Sequence, residues 1–304
     1  MTAGTGGAGD RAPASRRRRE TWLGYALLAP SLALFALVYL YPVAYSAWVS
    51  LYAWDLIAPA RWVGGENYRE LWSAEFGEVV ANTAAYSVGV VALSQALGLV
   101  LAVLLNNRTR LGALFQASIF SSYVVSWVAV SLLWIWLLDP QYGLVAYLLS
   151  LVGLPGVNWL GDHRLALASL VLVTVWKTVG YPMVIYLAGL QAIPGDLYEA
   201  ASLDGAGAWQ RFRHVTWPLL TPTTLFLLIT LTIASFQGFD IVKIMTQGGP
   251  VTATVIYVYY IYEQAFQYFK LGKASAAVVV FFGAIVALTY LQWLAFRRRV
   301  HYAG

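Results

Sequence analysis

Glu199 and Asp204 are the residues of this chain best placed to act on a partner. They stand in Ile193 to Pro222, which reads IPGDLYEAASLDGAGAWQRFRHVTWPLLTP. Carboxylates set among Ala200, Ala201 and Gly205 let another surface approach closely and offer it acceptors for Arg. Pro194 and Asp196 start a helix, Leu197 to Leu203 continues it, and Gly205 and Gly207 break it. Ala208 to His214 then forms a second short helix with Trp209 and Phe212 on one side. A hairpin of this kind docks into a groove of another protein or lies as an amphipathic element on a membrane surface. The residues by themselves leave both readings open.

Catalytic chemistry finds no purchase. His163, His214 and His301 are isolated, and neither His-Glu-x-x-His nor Gly-x-Ser-x-Gly occurs. Gly272-Lys273 resembles the end of a phosphate-binding loop, but Gln267 takes the place of the earlier glycine and Ala274 that of Ser/Thr. Gly205-Ala206-Gly207 lacks the third glycine of a dinucleotide fingerprint, which is Gln210 here. Cysteine is absent, which removes disulfides and thiolate metal sites. No cofactor is expected in this chain, and ATP with Mg, if used, belongs to another subunit.

The elements that must position these residues are membrane helices. Only 11% of the 304 residues are charged, against about 25% in ordinary globular proteins. Long apolar runs cover Trp22–Tyr41, Ala81–Leu105, Leu111–Leu138, Leu165–Leu190, Val215–Phe239 and Ala274–Phe296. Backbone polar groups in lipid need partners within their own segment, so such runs are helices. The expectation is an all-α integral membrane protein with six transmembrane helices. Ile244–Tyr262 is also uncharged, but Gly248, Gly249 and Pro250 interrupt it, and Tyr142–Leu154 is long enough only for an interfacial helix.

Positive charge orients the spans. One face carries Arg11, Arg16 to Arg19, Arg108, Arg110, Arg211, Arg213 and Arg297 to Arg299; the other has Arg61, Arg69, Arg164, Lys243, Lys270 and Lys273. The first face holds the excess and is assigned to the cytoplasm, with both termini. The first 20 residues read as a disordered basic tail, and residues 21–304 as the transmembrane domain. The net charge of +5 follows this topology rather than a nucleic-acid footprint.

The spaced set Glu199-Ala200-Ala201, Asp204-Gly205-Ala206, Phe212, Pro218 and Pro222 resembles the EAA loop of ABC importer permeases. Trp217 departs from the pattern, which usually has Leu before the proline. The resemblance implies a type I ABC importer permease fold, with Glu199, Ala200, Ala201, Asp204 and Gly205 coupling the chain to an ATPase. Further matches include Gly24-Tyr25, Asn67-Tyr68, Asn82-Thr83, Trp176-Lys177, Phe239-Asp240 and Thr246-Gln247-Gly248-Gly249-Pro250. They resemble the first permease of carbohydrate and glycerol-3-phosphate importers.

That resemblance implies a second, similar permease subunit, a different chain in a heterodimer or else a copy of this one, with two ATPase subunits and an extracytoplasmic substrate-binding protein docking on the external loops Tyr52–Val80 and Asp240–Lys273. It places the chain in the bacterial inner membrane, importing oligosaccharides or related polyols. The alternative is sn-glycerol-3-phosphate or a glycerophosphodiester. A secondary transporter would need intramembrane carboxylates, and no span contains one.

Lys177 lies in the fourth span, where a cation costs about 2.5–3.5 kcal/mol. It either lines the pathway or packs between helices with its amine on backbone carbonyls. Sugars are held by ring faces and a few polar groups. Trp176, Tyr181, Tyr186, Phe236 and Gln237 complete the expected pathway with Lys177.

Overall fold

The computed structural model describes residues 14–106 and 109–296. Among the described residues three helices are long and apolar enough to cross a membrane: Trp22–Val49, Ala74–Leu104 and Leu271–Ala295. Three bent pairs pass the same test as pairs. They are Arg110–Val124 with Trp127–Leu137, Ala166–Thr178 with Gly180–Gln191, and Ala208–Leu219 with Thr221–Ser235. With each bent pair taken as one span the count is six, and the all-α class expected from the apolar runs holds.

Several boundaries differ from those the sequence suggests. Helix begins at Ala14, inside the tail expected to be disordered, because Arg16 to Glu20 are good helix formers that join the apolar run without a breaker. Residues 1–13 of that tail lie outside the described residues. The first span also continues through Pro42 to Val49. A turn of π-helix at Ala36–Leu40, in which the Tyr41 N–H donates to the Ala36 carbonyl, absorbs the register that the proline would otherwise break. Pro218 is handled in the same way by a π turn at Phe212–Thr216.

The third run is not one rod. It bends by 100° between Val124 and Trp127, whereas the fourth bends by 46° around Val179 and the fifth by 62° near Leu220. Arg110–Val124 spans about 22 Å at 1.5 Å per residue, less than the bilayer core, so the continuation beyond the bend belongs to the same membrane passage.

Burial divides the interior into two regions. Phe76, Tyr86, Val90, Val130, Leu170, Val173, Ile241 and Tyr257 form one cluster. Ala102, Met183, Tyr186, Leu187, Leu220, Leu227 and Leu231 form the other, toward the Ile193–Pro222 hairpin. Helices pack closely at Gly98, where a Cβ would come within 2.9 Å of the Pro182 ring. Small residues at such crossings let backbones approach where lipid supplies no hydrophobic drive. The first span is different: none of its apolar window is buried within the chain.

The loops opposite the hairpin are held by side chains of the second span and its approach. Asn67 Nδ2 donates to the Ser50 and Tyr52 carbonyls at 2.7 and 3.0 Å. Asn82 Nδ2 donates to the Thr252 carbonyl at 2.9 Å, and the Tyr257 N–H donates to Thr83 Oγ1 at 2.8 Å. Ile244–Tyr262 does not form a seventh span. The helix Phe239–Met245 ends before the Gly248–Pro250 turn and helix resumes only at Tyr257–Tyr262.

Candidate functional site

The acidic-alanine segment forms the hairpin that its residues call for. Its first helix is Gly195–Leu203, and Gly205 takes φ +79° just after it. The Ala206 N–H donates to the Ala201 carbonyl at 2.9 Å and the Gly205 N–H to the Ser202 carbonyl at 3.1 Å, which is a Schellman stop. Glycine fits because the left-handed conformation penalises any Cβ. The second helix starts at Ala208, where Gln210 Oε1 accepts from the Gly207 N–H at 2.9 Å.

Two cross-links keep the hairpin closed. Arg211 Nη1 donates to Ser202 Oγ at 3.0 Å, and the Tyr198 hydroxyl lies 2.9 Å from Thr216 Oγ1. Trp209 and Phe212 stack at 5.6 Å between ring centres, on one side as expected. No residue of Gly195–Leu203 is buried. Glu199, Ala200, Asp204 and Gly205 are exposed, Ala201 is half-covered, and Leu203 is 90% exposed. The hairpin thus presents carboxylates, small residues and an apolar tip that no other described residue covers.

A cavity of about 260 Å³ lies where the second, third, fourth and fifth spans converge. Tyr123 and Trp127 supply rings, Thr178 and Ser235 hydroxyls, and Gln237 and Asp240 the strongest polar groups. Tyr86 is fixed at the wall by a 2.8 Å hydrogen bond with Thr174 Oγ1. The walls are therefore mainly apolar and aromatic, with a few convergent acceptors and donors, which is the usual composition of a site for a small polar solute.

Of the six residues expected along the pathway, Gln237 lines this cavity. The others are placed elsewhere. Tyr186 is buried in the second core cluster, its hydroxyl donating to Thr224 Oγ1 at 3.3 Å. Trp176 packs edge-on against Trp134 at 5.5 Å, and Phe236 edge-on against Phe281 at 5.7 Å. Tyr181 stands behind the wall, stacked on Tyr123 at 5.5 Å.

Lys177 does not line the cavity and takes the helix-packing alternative. Only 3% of it is exposed, and its Nζ donates to the Val125, Tyr123 and Ser122 carbonyls at 2.7, 3.0 and 3.4 Å. These are among the four carbonyls that a helix C-terminus leaves without intrahelical partners, and lipid has no water to satisfy them.

Sequence reasoning missed Tyr86, Tyr123, Trp127 and Asp240 as wall residues. Asp240 stood out only within a motif; the other three sit in uncharged runs where nothing distinguishes a lining ring from a packed one.

Residues 94–301 match the family described as binding-protein-dependent transport system inner membrane component. The chain is 36% identical over 287 residues to the trehalose/maltose transport system permease protein MalF of Thermococcus litoralis, covering 92% of this chain and 96% of that protein. It is 32% identical over 287 residues to the sn-glycerol-3-phosphate transport system permease protein UgpA of Pectobacterium atrosepticum, covering 93% and 97%. A solved bacterial ABC transporter involved in the import of the acidic polysaccharide alginate contains a chain of the same fold. Its TM-score is 0.81 at 24% identity, over 93% of this chain and 98% of that one.

Proposed function

Because this chain belongs to the family of binding-protein-dependent transport system inner membrane components, with the type I ABC importer permease fold, we propose that it forms half of the translocation pathway of an ATP-driven sugar importer. The observation that carries this reading is the exposed hairpin Gly195–Thr216, which joins the fourth and fifth spans and whose carboxylates have no ion-pair partner among the described residues. Glu199, Ala200, Ala201, Asp204 and Gly205 seat in a cleft of an ATPase subunit on the cytoplasmic side. ATP and Mg bind there, on the partner, and the permease does no phosphate chemistry.

Two ATPases, a second and different permease and an extracytoplasmic binding protein complete the assembly. Both termini of this chain are cytoplasmic, as the arginine excess requires. The loops pinned by Asn67, Asn82 and Thr83 face the binding protein, which delivers solute to the cavity. Alternating access follows when closure of the ATPases displaces the hairpin and with it the spans that wall the cavity.

The wall chemistry favours a neutral polyhydroxylated solute. Tyr123 and Trp127 offer ring faces to the C–H side of a sugar, while Gln237 and Asp240 accept from its hydroxyls. Neither lysine nor arginine is among the described lining residues, whereas Asp240 would repel a phosphate. That favours the oligosaccharide reading over glycerol 3-phosphate.

The test is uptake by proteoliposomes holding the complete complex, with labelled maltose, trehalose and glycerol 3-phosphate as solutes. Nucleotide-dependent accumulation of a sugar is expected. Transport by the purified chain without any ATPase companion would overturn the reading.

A further inference from the structure

Lys177 stands where two broken helices cross. The third span ends its first half at Val124 and the fourth bends around Val179, so each leaves a C-terminal turn of carbonyls near the other. Gly180 lets them approach: a Cβ there would fall 2.7 Å from the Phe120 Cα and 2.9 Å from the Ile119 carbonyl, both backbone.

Into this crossing the Lys177 amine is inserted from the fourth span. Besides its three carbonyl acceptors it sits 4.7 Å from the centre of the Trp127 ring and 5.8 Å from that of Tyr123. A cation is attracted to such ring faces, the more so away from water. In the reverse direction Ser122 Oγ lies 3.2 and 3.3 Å from the Lys177 and Trp176 carbonyls. Its single proton is shared with the Ile119 carbonyl at 2.9 Å, so Lys177 is the stronger tie.

The rings held in this way are two of the three aromatic side chains that line the cavity, Tyr86 being the third. On its other side the fourth span runs through Gly180–Gln191 to the coupling helix Gly195–Leu203 in three intervening residues. A displacement of that helix therefore reaches the bend at Val179 along one helix, and meets there the amine that grips the third span.

We propose that Lys177 is a positioning residue for transport, clipping the break of the third span to the bend of the fourth so that motion of the coupling helix is delivered to Tyr123 and Trp127. It contacts the wall and not the solute. The proposal rests on the importer reading above. Without the clip, nucleotide-driven motion of the fourth span leaves the aromatic wall behind.

The experiment compares Lys177→Met with the unsubstituted chain in the complete reconstituted complex, measuring ATP hydrolysed, labelled maltose accumulated and the KM for the maltose-loaded binding protein. The expected result is basal hydrolysis near the unsubstituted level, about tenfold less maltose per ATP, an unchanged KM, and recovery of coupling in Lys177→Arg, which restores a cationic donor. Unchanged maltose per ATP in Lys177→Met would overturn the proposal, as would a raised KM with intact coupling, since that marks a solute contact. Should Lys177→Met not assemble, Lys177→Gln keeps an N–H donor on a shorter side chain. A drop of at least twofold in maltose per ATP then supports the clip, and a normal ratio overturns it. Absence of ATP-driven uptake by the unsubstituted complex would instead remove the importer reading, and the clip with it.

Discussion

Glu263 is a carboxylate whose surroundings oppose its charge. It is half-buried in the segment joining the fifth and sixth spans, and burial, reinforced by Glu75 and offset by Lys243, raises its pKa from 4.5 to about 6. Lys243 is itself held over the Tyr262 ring at 4.7 Å, which limits how far it can follow the carboxylate. A folded-state pKa above the unfolded one means that the folded chain binds the proton more tightly. Stability is then greatest below about pH 4.5, falls as pH rises to about 6, and is flat above. Discounted for solvent screening, the loss is on the order of 1 kcal/mol. Glu263→Gln is expected to remove that slope and raise the melting temperature at pH 7.5, read by thermal unfolding of the detergent-solubilised complex between pH 4 and 8. A melting temperature that climbs across the same window in the unsubstituted chain would contradict the assignment. Individual residues were otherwise unevenly legible. Glu199 and Asp204 announce themselves because their chemistry is local, whereas the destination of the Lys177 amine depends on a break in another span, 52 residues away at Val125, which its own neighbours do not encode.

Among the elements, the hairpin was readable almost residue by residue, since Pro194, Gly205 and Gly207 mark its boundaries through backbone chemistry alone. Bends inside the spans were not. Pro222 and Pro182 hint at the fifth and fourth, but the 100° break of the third falls at Val125-Ser126, with neither proline nor glycine, and is held from outside by Lys177. An uncharged run specifies that a segment is in lipid and says little about its path, because lipid contact rewards apolar side chains whatever the axis direction. The hairpin's stop gives a prediction at this scale. A Cβ on Gly205 would meet open space, so Gly205→Ala carries only the left-handed backbone penalty of about 1–2 kcal/mol. The hairpin should loosen without disturbing the spans. Expected are unchanged membrane insertion and melting, with several-fold weaker retention of the ATPase on purification through a tag on this chain. Gly195→Ala, where an added methyl also meets open space and φ is ordinary, should retain the ATPase normally. Equal retention in both variants would separate the stop from coupling.

For the whole molecule, the count of spans and the class of fold followed from apolar runs because the bilayer sets helix length, and the arginine distribution supplied the orientation that those runs leave open. What a single chain does not display is its closure. The first span has no buried residue in its apolar window, and the hairpin carries its carboxylates uncovered among the described residues, surfaces that suit lipid and the partner subunits of the proposed importer. Orientation ties these surfaces to compartments, and it is open to a direct measurement because the chain has no cysteine of its own. Val251, 89% exposed at the turn before Tyr257–Tyr262, and Glu199, exposed on the hairpin, sit at opposite ends of the spans. With the arginine excess inside, Val251→Cys in intact cells should react with a membrane-impermeant maleimide, and Glu199→Cys only after the membrane is opened. The assembled complex adds a second contrast. ATPase seated on the hairpin should protect Glu199→Cys in opened membranes, and stripping that subunit should expose it, whereas reactivity at Val251→Cys should respond to the binding protein alone. Labelling of Glu199→Cys from outside intact cells would place the hairpin where no ATP is available and would undo the coupling role together with the topology.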